Sequence, residues 1–353
     1  MLYRYKIKPL SPVMTPFMSD TFFGHFCWAV LYEKGETYLD NFLSAFGDGN
    51  KAPVLFSSAF VSGYLPRPVL PPPKRDEIRG FVESHFVEKP YADIRSMANK
   101  GKRFEGMTKI KSWNKLRLIS IEDWLSLKDD YCETHLLEIF YDRLEDEIDS
   151  EIPIFKTEVA ASNTISRISG TVPEEGGGLF QREKTWYHKD MELDLYVEIN
   201  LEEIVPLVKW FLCDYLPSNG FGRDKSVGMG CIEVEQDNLF SQEQFSVNNP
   251  NSSVALSLAA FNGIAKYKSF YRLMTKFGKL GGNYAYSSPT GGDPKPYKKP
   301  ILMIEPGGVF FTNEDLSAKP LLDEVHSDPS IRQCGIPVTL PLRIREDKLY
   351  GTA

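Results

Sequence analysis

The segment GFGRDKSVGMG, Gly220 to Gly230, lies between a run that reads as a helix (Leu201 to Leu216) and one that reads as a strand (Cys231 to Val234). Four glycines alternate there with Phe221, Arg223, Asp224, Lys225 and Ser226. Glycine opens positive φ and lets a ligand approach the main chain closely. A loop of this kind can turn amide donors toward phosphate oxygens while its cations add charge. The residues leave a second reading open, a tight turn between helix and strand. Known nucleotide loops are excluded by order and spacing. Walker A requires lysine after its last glycine, whereas Gly228 precedes Met229, and the dinucleotide fingerprint runs strand, loop, helix.

The rest of the chain supplies the frame. Tyr3, Tyr5 and Ile7 alternate with Arg4, Lys6 and Lys8, which predicts a strand with one core face and one basic face. Ser19-Asp20 is a capping signal for a helix carrying Phe22, Phe23, Phe26, Val30 and Leu31, ended by Gly35. A short helix is expected from about Leu39 to Phe46. The proline arm YLPRPVLPPP (64–73) is extended, and the basic segment after it, about 74–118, reads as a mobile insertion of weak periodicity. Ile121 to Glu151 reads as one acidic amphipathic helix. NTISRISGTVPEEGGG (163–178) is a loop that lets LFQREKTWYH pair back as a hairpin, and Met191 to Ile199 alternates as a strand with one buried face. In the helix Leu201 to Leu216, Pro206 is an early interruption.

An Asn/Ser/Gln-rich link, about Gln236 to Ser253, divides the chain into domains 1–245 and 246–353. The second is β-rich, with strands expected at Val254–Phe261, Phe270–Phe277, Ile301–Ile304, Val309–Thr312 and Val338–Arg345 and Gly-Gly turns at 281–282, 291–292 and 307–308. The fold class is α+β. Strand–helix at the start and strand–helix–loop–strand before the link match a ferredoxin-like (RRM-like) domain with a large insertion.

The 353 residues carry a net charge of −7, unevenly placed. Residues 74–117 hold twelve Lys/Arg against six Asp/Glu, 120–158 three against thirteen, and 262–300 eight against one. Two basic regions around an acidic one fit one anionic partner and a different partner elsewhere; solvated faces are the other reading. Scattered Cys27, Cys132, Cys213, Cys231 and Cys334 form no CxxC pair, so reduced thiols and no zinc or other cofactor are expected. With neither a signal-like apolar run nor a membrane-length segment, the expected location is cytoplasmic.

Several segments together resemble the RAMP superfamily of CRISPR proteins. More narrowly, they resemble the Cas-five-like subunit of type III-A (Csm) effectors, the fourth Csm protein. They are SDTFFGHFCWAVLY (19–32), SSAFVSGYLPRPVLPP (57–72), NTISRISG (163–170), GGLFQRE (177–183), the glycine loop, and the C-terminal KFGKLGGNYA, KKPILMIEPGGVF and QCGIPVTLPLRI. The departure from a typical member is length, since the insertion and the acidic helix look large. The resemblance implies two ferredoxin-like RAMP domains, the second degenerate. It implies a subunit that does not cleave RNA but caps the 5′ handle of CRISPR RNA and bridges the large polymerase-like subunit to a backbone RAMP subunit.

The RNA-binding residues it implies are Gly220, Phe221, Gly222, Arg223, Asp224, Lys225, Ser226, Gly228 and Gly230, with Ser166 and Arg167 of the hairpin and Ser19 at the first helix. Phe180, Trp186 and Tyr187 are candidates for stacking on bases or for the core, and Arg4, Lys6 and Lys8 for the groove or a solvated face. The rival reading is a metal-independent endoribonuclease, for which His188 is the best-placed base. His25, in mid-helix, reads as a packing residue; His85 and His135 lie in charged segments, and His326 with Cys334 is too sparse for zinc. A scaffold with no RNA contact is the third reading.

Overall fold

The computed structural model describes residues 1–47, 49–145, 155–172, 178–261, 266–285, 295–312 and 314–349. Strand β1 (Leu2–Pro9) buries Tyr5 and Ile7 completely, as its alternation requires. Helix α1 (Ser19–Lys34) buries Phe22, Phe23, Phe26, Ala29 and Val30 and stops at Gly35, whose φ of 84° suits glycine. Its N-cap is Met18, not Ser19. Ser19 is the first helical residue, and its hydroxyl is engaged elsewhere. Helix α2 (Glu36–Ser44) and the short strands β2 (Val54–Phe56), β3 (Phe60–Val61) and β4 (Tyr64–Pro66) follow.

The basic insertion is folded, which corrects the expectation of a mobile segment. It forms α3 (Arg75–Phe81), a π-helical continuation Val82–Glu88, and α4 (Asn99–Lys115). Val82, Phe86, Tyr91, Ile94, Ile110 and Trp113 make a core of its own, completed by Leu137 and Tyr141. The periodicity was weak because one position of the buried stripe on α4 is Gly106. A Cβ there would lie 2.9 Å from the Phe86 ring.

The acidic run is likewise two helices, not one: α5 (Ile121–Leu127) and α6 (Glu133–Glu145), joined after strand β5 (Leu118–Ser120). The break has a cause. Tyr131 is pulled out of helical register by the C-terminal strand region, donating its amide to Arg343 O (2.8 Å) and accepting from the Arg345 amide (3.0 Å). The run beyond residue 145 lies outside the described residues.

Strands β6 (Phe155–Asn163) and β7 (Leu179–Tyr187) form the expected hairpin, in register from Phe155↔Tyr187 to Asn163↔Leu179. Strand β8 (Leu193–Ile199) is buried on both faces, against the expectation of one. The link after the sheet folds over the second face, setting Phe240 and Phe245 about Tyr196 (ring centroids 5.8 and 6.2 Å). Asp194, fully buried there, accepts from Ser62 Oγ (2.9 Å) and the Gly63 amide (3.1 Å). Such partners make a buried carboxylate tolerable.

The next helix is a relay: α7 (Val205–Trp210), a π turn Phe211–Tyr215, and α8 (Leu216–Asn219). Pro206 sits in its first turn, where no amide is needed, and does not interrupt it. Strand β9 (Ile232–Gln236) closes an antiparallel sheet of order β2–β8–β1–β9.

The C-terminal half is β-rich. Strands β10 (Ser252–Ala255), β11 (Ala259–Ala260), β12 (Lys268–Phe270), β13 (Leu273–Lys276), β14 (Ile301–Ile304), β15 (Val309–Phe311) and β16 (Thr339–Leu342) form sheets of order β12–β15–β10–β16 and β11–β14–β13. Two of the expected long strands are each split in two. The expected 291–292 turn lies outside the described residues. Among the described residues no helix is long and apolar enough to cross a membrane.

Buried serines stitch the halves together. Ser19 Oγ accepts from the Leu258 amide (3.0 Å), and Ser58 Oγ from the Ser19 amide (3.3 Å). Ser257 Oγ donates to Phe56 O (2.8 Å) and accepts from the Val338 amide (3.0 Å).

A second joint ties the insertion to the body. Buried Arg67 donates to Trp113 O (2.7 Å), lies 4.2 Å from the Trp113 ring centroid, and pairs with buried Glu133, which also accepts from Tyr131 Oη (3.1 Å). Glu133→Ala leaves a buried guanidinium without its anion, a class of change that costs about 3–5 kcal/mol. Urea unfolding of the variant should show that loss; a midpoint within error of the parent would mean the joint bears no load.

Candidate nucleic-acid interface

The glycine loop has an inner and an outer half. Phe221 is the inner anchor, fully buried, with its ring centroid 4.6 Å from Phe17, 4.8 Å from Phe22 and 5.0 Å from His25. Its amide donates to Gly230 O (2.8 Å), and the Gly230 amide donates to Pro12 O (2.9 Å). The close approach of the two limbs explains the glycine at 230: a Cβ would fall 1.9 Å from Phe221 O, at a φ of 70°.

Gly222 donates its amide to His25 Nε2 (3.0 Å). The imidazole therefore accepts at Nε2 and is neutral, and burial, with the charge of Lys225 second, pushes its pKa down to about 3. His25 is a packing residue, as read, but it also positions the loop. No local motif signals this, because its partner lies 197 residues away.

The loop preceding α1 is the strut for all of this. Ser11 Oγ accepts from the Cys231 amide (2.9 Å) and Thr15 Oγ1 from the Arg223 amide (3.1 Å). Val13 exchanges two backbone hydrogen bonds with Thr185 of β7 (3.0 and 2.9 Å). One short segment thus holds both the glycine loop and the hairpin.

The outer half is a single tight turn. Asp224 (φ 59°) and Gly228 (φ 83°) take left-handed conformations at its two ends, around Lys225–Val227. Asp224 O accepts from the Val227 and Met229 amides, and Lys225 O from Gly228. Most of the loop's amides are therefore bound within the protein. Those of Asp224, Lys225 and Ser226 have no partner among the described residues. Arg223, Lys225 and Ser226 are exposed on this turn. The Lys225 stem packs by Gly220, and partial desolvation lowers its ammonium's pKa.

Arg182 of β7 joins the turn to the hairpin. Its Nε lies 3.5 Å from Asp224 Oδ2, and its guanidinium sits 5.0 Å from the Phe180 ring. Arg182 was not singled out from sequence, where it is one cation in an alternating strand. At the hairpin tip, Ser166 Oγ accepts from the Ile168 and Ser169 amides (3.3 Å each), shaping a turn that leaves Arg167 exposed and without an ion-pair partner among the described residues.

The other candidates separate. Trp186 is exposed and donates to Glu158 (2.9 Å), whereas Tyr187 packs on Phe17 at 5.9 Å. Ser19 belongs to the serine seam. Arg4 is held by Asp237 and Lys6 by Glu192 (3.0 Å), so two of the three cations on β1 are neutralised within the protein. His188, exposed, has its Nδ1 3.7 Å from Asp190 of its own turn.

The sequence matches no family model and no curated protein. Solved structures do match. A chain from the crystal structure of a Csm1–Csm4 cassette in complex with cA4 aligns over 98% of this chain and 100% of its own, at 15% identity and a TM-score of 0.54. A chain of the Csm3–Csm4 subcomplex from the type III-A CRISPR-Cas interference complex aligns over 97% and 99%, at 13% identity and a TM-score of 0.53. This chain shares the fold of those two chains.

Two predictions test the loop. His25 carries a pKa of about 3 folded against about 6.5 unfolded, so below pH 6.5 the unfolded chain takes up the proton first. Its contribution is complete above pH 6.5 and shrinks as pH falls, by about 2 kcal/mol at pH 5. Urea midpoints should fall less between pH 7 and 5 in His25→Gln than in the parent; equal slopes would contradict the assignment. Gly228→Ala, with open space around its Cβ, should cost about 1–2 kcal/mol from its positive φ alone. Gly230→Ala should cost clearly more in the same denaturation series.

Proposed function

We propose that this chain is the Csm4-type subunit of a type III-A CRISPR effector, acting in cytoplasmic antiviral defence. In this reading it holds the 5′ handle of CRISPR RNA and joins the large subunit to a backbone RAMP subunit, without cleaving RNA itself. The observation that carries the reading is the two-sided glycine loop. Its inner half is fixed to the core through Phe221, His25 and Pro12, while its outer turn offers Arg223, Lys225, Ser226 and their neighbouring amides to an anion. Single-stranded RNA held in a set shape needs this kind of backbone contact. Exposed Arg167 at the hairpin tip and Trp186 along it supply a second cation and a stacking face. The antiparallel order β2–β8–β1–β9, with α1 and the Phe211 turn in contact on one face (Phe26–Phe211, 5.2 Å), supports the ferredoxin-like form of the first domain. The Csm1–Csm4 and Csm3–Csm4 assemblies of the structural relatives support the two protein partners.

His188 is exposed on the turn after the hairpin, where its Nδ1 accepts from the Asp190 amide (3.4 Å). Filter binding of a handle-bearing RNA tests the grip. Arg223→Ala with Lys225→Ala should weaken it about tenfold or more and flatten its salt dependence, since each phosphate contact contributes roughly 0.7 to the slope. Unchanged affinity would make the loop a structural turn. Incubation of repeat RNA in EDTA should leave it intact; cleavage lost in His188→Ala would establish the endoribonuclease instead.

A further inference from the structure

The insertion carries a feature that RNA binding at the glycine loop does not use. Between α3 with its π continuation and α4 lies a groove of about 500 Å³. Ile78, Val82 and Met107 form its apolar floor, and Arg75, Arg79 and Arg103 stand around it. Met107 is 41% exposed, and Phe104, one turn earlier on α4, is 73% exposed. Arg103 is fixed across the groove by Glu83 (2.5 and 2.9 Å). Arg79 meets only Asp76, at 3.6 Å, and Arg75 has no ion-pair partner among the described residues.

We propose that this groove docks an acidic amphipathic helix of a partner protein. An apolar floor with methionine takes aliphatic side chains of varied shape. Guanidinium groups on the rim match carboxylates on either side of those side chains, in two-pronged pairs. An amphipathic helix brings both chemistries together at helical spacing. The groove lining holds three Arg against one Glu, and the basic side is α4, with six Lys/Arg and one Glu, whereas residues 75–88 hold two Arg and four Asp/Glu, so an acidic segment is steered to the α4 side. RNA would meet the same charge, but the groove lining itself is aliphatic and charged, and exposed Phe104 stands one turn outside it. The inference is independent of what the glycine loop binds.

The test uses the full-length protein and a fluorescent helical peptide of about 18 residues, with leucines at i, i+4 and i+7 flanked by glutamates. Anisotropy should show saturable binding that weakens about tenfold or more in Met107→Glu, and separately in Arg75→Glu with Arg79→Glu. All three residues are exposed, and circular dichroism confirms that each variant is folded. Equal binding of a scrambled peptide of the same composition would reduce the effect to charge and overturn the proposal. So would a polyuridylate strand that competes with the peptide and is weakened equally by Met107→Glu, since the groove would then be a nucleic-acid surface. A dimer of the protein in sedimentation that Met107→Glu dissociates would assign the groove to a second copy, with the same consequence.

Discussion

The hydrogen bond from the Gly222 amide to a neutral, buried His25 decides the posture of the whole interface. It fixes the glycine loop to α1, the helix that also organises the core, and it requires the imidazole to stay unprotonated. Phe221 beside it makes the anchorage apolar as well as polar, packed against Phe17, Phe22 and His25 itself. Once this inner half is set, the outer turn has little freedom, because Asp224 and Gly228 must both take left-handed conformations to close it. A loop that would otherwise sample many shapes is thereby presented in one. Preorganisation of this sort lowers the ordering cost of binding a flexible strand.

The strut from Leu10 to Phe17 extends the same constraint to the hairpin. It bonds to the glycine loop through Ser11, Pro12 and Thr15 and to β7 through Val13, so the glycine loop and the hairpin share one support. The Arg182–Asp224 contact then ties them directly. In the reading proposed above, phosphate arriving at the turn competes with Asp224 for Arg182, which couples occupancy of the loop to the set of the hairpin.

Periodicity and glycine chemistry made much of this legible. β1, the extent of α1, the hairpin and the glycine loop all follow from local pattern, as does the β-rich second half. What escaped was decided by distant partners. β8 alternates as a half-exposed strand, yet Phe240 and Phe245 cover its polar face and Ser62 and Gly63 satisfy Asp194. The acidic run has helical periodicity through residues 128–132, yet backbone bonds to Arg343 and Arg345 break it at Tyr131. The insertion looked shapeless because Gly106 stands where a larger apolar residue would have signalled a face. Ser19 has the residue type of a cap and the position of a seam. His25 and Arg182 could not be assigned as positioning residues, since the partner of the first lies 197 residues away and that of the second is in a loop beyond the next strand and helix, and neither leaves a local trace.

Charge shows the same division between local pattern and assembled structure. A net charge of −7 argues against an RNA partner only if charges act as a sum. At contact range they act one by one, because screening at physiological salt limits their reach to roughly 8 Å. Arg4 and Lys6, the cations that stand out in the opening strand, are matched by Asp237 and Glu192 and present little free charge. Arg167 and Lys225 have no ion-pair partner among the described residues, and they stand on the two elements that the Leu10–Phe17 strut supports. The field an approaching strand meets is therefore set by which cations the fold leaves unmatched.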